Sequence, residues 1–509
     1  MAEYILGIDV GTTSLKAAVF DHHGAQKAAA VVEYSLLTPD TTTVEAPCGV
    51  YMESIKKCLG IIAAGGAVDT KDITMVGFSV QGETLCFLDK DGKPVRNAII
   101  WMDNRAGAQA VKLREKFGDE KCYEITGQVS FEACWPAAKV MWVKENEPDN
   151  FARSRHILLL EDYVIYLLTG RFVSEGSLLT STEYWDIRTR KYWTEMLDFI
   201  GIDESVLPEI MEPGQLVGTI LPAMAAELGI SPKAKICTGC LDQVAGAIGV
   251  GNITPGIFSE NIGAALAICV PTATLTYDKN RLMPVHYFAR PDTYMMHTFT
   301  TGGMCVRWFR DTFCKAEIEL SDATGLDSYY LMDKEAEMVA PGSDGLLTLP
   351  HLQGSMAPDV NLNAKGVFYG ATLKHTKAHF IRSIMESVGY IICRNLEAIA
   401  DMGLEVKQIR TMGGGSKSNV WNQIKADITG KTLHITQSSQ DAACLGAAIL
   451  AGTAAGVFKS MEGACESMVE VKRTYEPNMD NHRIYQRQYA KFKKLFNSLT
   501  DLFAEDAKG

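Results

Sequence analysis

The chain has no apolar run long enough to cross a bilayer, and its Met1–Tyr4 start has no basic region leading into an apolar stretch. Neither a membrane span nor a secretory leader is expected, and the expected location is the cytoplasm. Positive charge is short: 49 Lys and Arg stand against 61 Asp and Glu, for a net −12. That balance speaks against non-specific nucleic-acid binding. The acidity is spread along the chain and reads as a solvated surface. The Walker pattern GxxxxGK[ST] is missing, so a P-loop is not how this chain would hold phosphate. The 13 cysteines are scattered, and Cys237-Thr238-Gly239-Cys240 has no second ligand pair at zinc spacing. It reads as strand-end packing, and so many free thiols suit a reducing compartment. No low-complexity linker divides the 509 residues, which at 47% hydrophobic can bury large cores in about two to four domains.

Four polar segments stand out. The first is a short strand, Tyr4–Ile8, that delivers Asp9, then Gly11-Thr12-Thr13-Ser14, then a second alternating strand through Leu15, Ala17 and Val19. Gly11 lets the backbone approach an anion closely. Successive N–H groups and hydroxyls in such a turn form an anion-binding concavity. Asp9 stands where it could hold a Mg²⁺ bridging phosphate oxygens. Ordinary turn chemistry would use the same residues. The second segment, Thr238 to Gln243, places Asp242 after a glycine turn and before a helix of small residues, where a carboxylate can accept a proton from a hydroxyl. Helix N-capping is the plainer use of an Asp there. The third is Gly413-Gly414-Gly415-Ser416-Lys417-Ser418-Asn419 between a strand and a helix, suited to a flat ligand or to a tight crossover turn. In the fourth, Gln81, Glu83 and Asp103 could bind hydroxyls while Trp101 walls a carbon chain. A network of Glu83, Asp103 and Arg105 is the alternative.

Organisation points the same way. Gly256 to Ile268 again reads strand, glycine turn, strand, echoing the opening hairpin and suggesting two related halves. Gly, Asn and Pro concentrate at 249–256, which predicts domains over 1–251 and 252–509. Helices are expected at 106–117, 137–146, 161–169, 222–230, 376–402, 420–429, 441–455 and 482–504.

Taken in order, these segments resemble the FGGY carbohydrate kinases, a branch of the actin-like, ribonuclease-H-like ATPase fold. Asp9 to Ser14 is similar to that family's first phosphate motif, and Gly239 to Gly251 to the segment carrying its catalytic base. Cys134 to Asn146, with Pro136, Lys139, Trp142 and Asn146, is similar to a family signature. Gly303 to Trp308, and Gly413 to Gly430 running into Gly446-Ala447-Ala448, are similar to its nucleotide side. The resemblance implies an α/β chain of two actin-like domains with the active site in the cleft between them. It implies ATP as phosphoryl donor, Mg²⁺, a small sugar or polyol as acceptor, and a homodimer as the assembly. It makes Asp242 the base, with Asp9 and Asp242 on the metal. Gln81, Gly82, Glu83, Trp101, Asp103, Asp242 and Gln243 would meet the sugar. Gly11, Thr12, Thr13, Ser14, Lys16, Gly263, Ala264, Gly303, Arg307, Gly414, Gly415, Ser418 and Asn419 would meet the nucleotide.

The departures are specific. Ala264 stands where the family often has Thr or Ser, and Gly354-Ser355-Met356 where many members have Gly-Glu-Arg. Gln81-Gly82-Glu83 matches neither the Gln-Met-His of bacterial xylulokinases nor the Gln-Arg-Glu of glycerol kinases. The runs around Asp103 and from Glu161 to Gly170 are nearer the xylulokinase type, so a pentulose such as D-xylulose is expected. A glycerol or other polyol kinase is the second reading, and a non-kinase nucleotide-binding regulator the third.

Overall fold

The computed structural model describes residues 3–506, so Met1 and Ala2 of the N-terminal stretch read above lie outside it. Two seven-stranded sheets organise the chain. The first takes β1 (Tyr4–Val10), β2 (Ser14–Phe20), β3 (Gln26–Glu33), β4 (Ile73–Val80), β5 (Leu216–Thr219) and β6 (Lys235–Cys237), in the order β5-β6-β4-β1-β2-β3, with Cys240–Leu241 pairing onto β4. The second takes β7 (Ile257–Ile262), β8 (Ala265–Thr272), β9 (Val285–Tyr287), β10 (Tyr294–Thr301), β11 (Gln408–Met412), β12 (Thr432–Thr436) and β13 (Val471–Tyr475), in the order β9-β10-β8-β7-β11-β12-β13.

The echo read in the sequence is a repeat of plan. Each sheet begins with an antiparallel hairpin, β1–β2 or β7–β8, and adds a third antiparallel strand beyond it. On the other side each first strand pairs in parallel, β1 with β4 and β7 with β11, and a further parallel strand and an antiparallel edge follow. Parallel strands covered on both faces read as continuous apolar runs rather than alternating ones. β1 and β4, nearly all buried, do so.

Five helices bear on the site: α1 (Asp242–Gly249), α2 (Met304–Phe313), α3 (Lys377–Asp401), α4 (Asn419–Thr429) and α5 (Ala442–Ala454). The predicted 482–504 helix is two helices, Met479–Ser498 and Thr500–Asp506. No described helix is long and apolar enough to cross a membrane.

Helices α1 and α5 change sides. α5 lies between β12 and β13 of the second sheet in sequence but packs on the first, where Gly7 and Gly77 face the backbone carbonyls of Cys444 and Ala447 so closely that a Cβ at either glycine would overlap them. α1 follows the first sheet, yet Gly246 rests on Met412 of β11. The two helices meet at Gly446 against the Ala245 carbonyl and Gly249 against the Ala442 carbonyl. Small residues here are a requirement of the approach. Gly446→Ala should therefore lower the apparent Tm by a few degrees, since forcing a methyl into a closed contact costs about 1–3 kcal/mol. Gly60→Ala, in the Gly49–Gly65 helix where a Cβ meets nothing, should be neutral or stabilising by up to about 1 kcal/mol. Equal melting of both variants would refute the close-approach account.

Candidate functional site

Asp9 is the next-to-last residue of β1, with Lys16 opposite on β2 and Ser79 opposite on β4. Ser79 Oγ donates to Asp9 Oδ1 at 2.7 Å. Burial still raises the Asp9 carboxyl above its ordinary value, against the opposing pull of Ser79 and Lys16. In the turn beyond, the Gly11 N–H donates to the Ser14 carbonyl at 3.0 Å. The Thr12 hydroxyl accepts from Trp101 Nε1 at 2.9 Å, and the Gly11 carbonyl accepts from Gln81 Nε2 at 3.1 Å and from the Tyr34 hydroxyl. The segments read separately as a phosphate turn and a sugar wall are thus one hydrogen-bonded unit. Gln81 is only 4% exposed, which leaves its partnerless Oε1 as the atom free to meet a ligand.

Glu83 adopts φ 55°, the left-handed region, unusual for a residue with a side chain. Such backbone is held only where its surroundings fix it and tends to occur at functional sites. Here Lys139 Nζ donates to the Glu83 carbonyl at 3.2 Å and to the Ile100 carbonyl at 2.9 Å. Lys139 is fully buried, and burial pushes its ammonium down to about 8. The Glu83 carboxyl is raised by burial and drawn back by Ser181 and Lys139. Ser181, from a segment without any recognised motif, is a site neighbour the sequence reading missed.

Asp242 is the first residue of α1, and the N-cap is Leu241, which makes no side-chain cap. The capping use of Asp242 is therefore set aside. Its carboxyl is pushed up to about 7, first by burial, then by the negative charges of Asp9 and Glu83, with Gln243 pulling it back. Asp242 thus feels two carboxylates from segments far away in sequence. Asp9 and Asp242 are hard oxygen donors whose mutual repulsion a divalent cation would relieve, which fits Mg²⁺.

On the second sheet the other segments converge. The Gly303 N–H donates to the Gly263 carbonyl at 3.1 Å and the Met304 N–H to the Ala264 carbonyl at 2.9 Å, seating the start of α2 on the β7–β8 turn. Gly413, at φ 76°, fits against Asn261 Oδ1 and the Ile262 carbonyl, and Gly415 against the Ile262 side chain. Gln440 Nε2 pins the glycine loop by donating to the Gly413 carbonyl at 2.6 Å and Ser416 Oγ at 2.7 Å.

Several residues expected at the ligands have partners within the protein. Asp103 is fully buried, its carboxylate held by Arg105 and by the Val44 N–H at 2.7 Å, with Arg105 also bridging to Glu45. This is the network weighed as the alternative use of Asp103, with Arg105 and Glu45 as its members. The Lys16 ammonium is paired with Asp441 ahead of α5, across the two halves, rather than free at the phosphate turn. Ser418 caps α4 by accepting from the Trp421 N–H at 3.0 Å and donates to Asp333 at 2.8 Å. Asn419 Oδ1 is turned to β13, accepting from Arg473 at 2.7 Å and Tyr475 at 2.6 Å. Arg307 lies on the exposed face of α2, 3.6 Å from Asp311.

The model of the FGGY family of carbohydrate kinases, N-terminal domain, matches residues 4–249, and that of its C-terminal domain matches 270–455. The chain is 29% identical to a xylulose kinase of Bacillus subtilis over 98% of each chain, and 29% identical to a gluconokinase of Bacillus licheniformis over 100% of this chain and 98% of that one. The ligand-bound xylulose kinase structure from Lactobacillus acidophilus superposes with a TM-score of 0.88 at 24% identity, covering 99% of both chains.

Proposed function

The chain belongs to the FGGY family of carbohydrate kinases and is a sugar kinase that uses ATP, and from that premise we propose that its acceptor is a hydroxyl of a small pentulose such as D-xylulose. The kinase family sets aside the non-kinase regulator. The observation that supports the reading best is Asp242, at the first turn of α1, its proton affinity raised by burial and then by Asp9 and Glu83. A carboxylate poised in that range accepts a hydroxyl proton as the bond to phosphorus forms. Phosphoryl transfer otherwise asks for positioning and charge neutralisation. Mg²⁺ held by Asp9 and Asp242 would supply the neutralising charge. Glu83, Gln81 Oε1 and Gln243 orient the sugar, while Trp101, tied to Thr12, links the sugar wall to the Gly11–Ser14 phosphate turn. Residues 1–251 carry the sugar side and 252–509 the nucleotide side, with Gly263, Gly303, Gly414 and Gly415 against the nucleotide. Closure of the halves across α1 and α5 excludes water, the competing acceptor.

A polyol kinase is the second reading, favoured by Glu83, which the glycerol kinases share. ADP release measured with Mg²⁺-ATP and D-xylulose, L-xylulose, D-ribulose, L-ribulose, erythritol, glycerol, D-arabitol or water alone separates the two. Turnover with a pentulose, lost on chelating the metal, is expected. Turnover with glycerol or erythritol alone establishes the second reading, and equal release with and without every compound refutes both.

A further inference from the structure

One row of side chains on the second sheet faces α1 and is used by nothing described so far. Cys269 on β8 lies opposite His297 on β10, and Ala267 opposite Phe299. The Cys269 thiol reaches the Gln243 carbonyl at 3.7 Å, next to Asp242. Cross-strand partners and alternate residues share a face, so His297 and Phe299 belong to that same wall. Phe299 is 49% exposed although large and apolar.

The hydrogen bonds fix which atoms remain. His297 Nδ1 sits 3.0 Å from the Ile268 carbonyl, which only accepts, so Nδ1 carries the proton. Burial pushes the imidazole down to about 4, leaving Nε2 a bare acceptor, and no hydrogen bond among the described residues reaches it. The His286 ring stands edge-on to His297 at 5.3 Å. His286 Nε2 accepts from the Gln128 amide at 3.5 Å, so its Nδ1 is a donor, buried and without a partner. The same amide donates to the Thr180 carbonyl at 3.3 Å, one residue from Ser181 beside Glu83. A polar rim thus runs from Glu83 through Ser181, Gln128, His286 and His297 to Gln243 and Asp242.

We propose that His297 and His286 are specificity-determining residues that bind one sugar hydroxyl remote from the reacting one, His297 Nε2 accepting and His286 Nδ1–H donating, and that the site selects neutral polyhydroxy substrates over sugar acids. This rests on Asp242 and Glu83 being the sugar side. A hydroxyl suits that donor–acceptor pair, whereas a carboxylate would face the His297 lone pair with Asp9, Glu83 and Asp242 nearby. The two buried cations on the sugar side are already engaged: Lys139 is held by two carbonyls, and Arg105 by Asp103 and Glu45. Phe299 covers the apolar face of the sugar, as an aromatic wall does in polar-rimmed pockets.

The test is steady-state ADP release by wild type, His297→Leu and His297→Gln with the neutral sugar that supports turnover, its monodeoxy analogues, and gluconate. Wild type should strongly prefer the neutral sugar to gluconate. His297→Leu should raise KM about 10-fold, the scale of one hydrogen bond, with a smaller change in kcat. One deoxy analogue should be a poor substrate for wild type yet equal the parent sugar in His297→Leu, and His297→Gln, which keeps an acceptor, should recover part of the loss. If His297→Leu does not fold, His297→Gln with the deoxy series makes the same comparison. Unchanged kcat/KM in the variants, or gluconate turnover matching the neutral sugar, overturns the proposal while leaving the kinase reading intact. No sugar-dependent turnover in wild type overturns both.

Discussion

Asp242→Asn is expected to lower kcat for sugar phosphorylation by about 10²–10⁴-fold, the usual contribution of a positioned general base. Asparagine keeps the shape and can still receive the Gln243 hydrogen bonds, so loss of structure is not the expected cause. The same substitution removes a carboxylate whose proton affinity is raised by burial and by two neighbouring acids. Its electrostatic cost to the fold disappears with it, so the variant should melt at the same temperature as wild type or higher, as happens where a site trades stability for activity. Nucleotide binding, read as the shift of Tm by Mg²⁺-ATP, should persist in weakened form. Retained turnover would remove Asp242 from the role of base. A collapse of Tm together with activity would make the residue structural.

The second large effect lies below the glycine loop. Lys425 of α4 and Glu260 of β7 form an ion pair with both side chains wholly buried, and Lys425 Nζ also donates to Thr411 at 3.1 Å. The pair ties the strand before the Gly263 turn to the helix after Gly413–Gly415. Burial alone pulls the Lys425 ammonium below its ordinary value, and Glu260 opposes that pull. Lys425→Met leaves the Glu260 charge uncompensated, which costs about 3–5 kcal/mol where one partner of a buried pair is removed. The apparent Tm should fall steeply and KM for ATP should rise as the glycine loop loosens. Lys425→Met combined with Glu260→Gln should recover much of the stability, because desolvation of a lone charge is then no longer required. A double variant no better than the single one would show that the pair acts by packing rather than by charge.

The elements with local causes were legible. The turn after Asp9, the small-residue helix from Asp242, the long helix at 377–401 and the helix closed by Gly170 follow from patterns within a few residues. The second hairpin was visible as an echo, while the shared sheet plan needed pairings between strands more than a hundred residues apart. At Ser418 and Asn419 the sequence was ambiguous, because a helix cap and a ligand contact call for the same residue types. Asp103 had its partner two residues on, in Arg105, but sequence could not say whether that arginine would be occupied or free. The Lys16–Asp441 pair had no local signal at all.

The sequence by itself determined which chemistry was available. It set a carboxylate before a hydroxyl-rich turn, another at the head of a glycine-flanked helix, and glycines where backbone must pass close to backbone, because turn and helix propensities depend on near neighbours. Only the tertiary structure decided which groups act together. Burial and Coulomb forces work through space, so it took the folding of β1, β4 and α1 around one point to bring Asp242 within reach of the charges of Asp9 and Glu83. The same folding withdrew Asp103, Lys16 and Asn419 into pairs of their own.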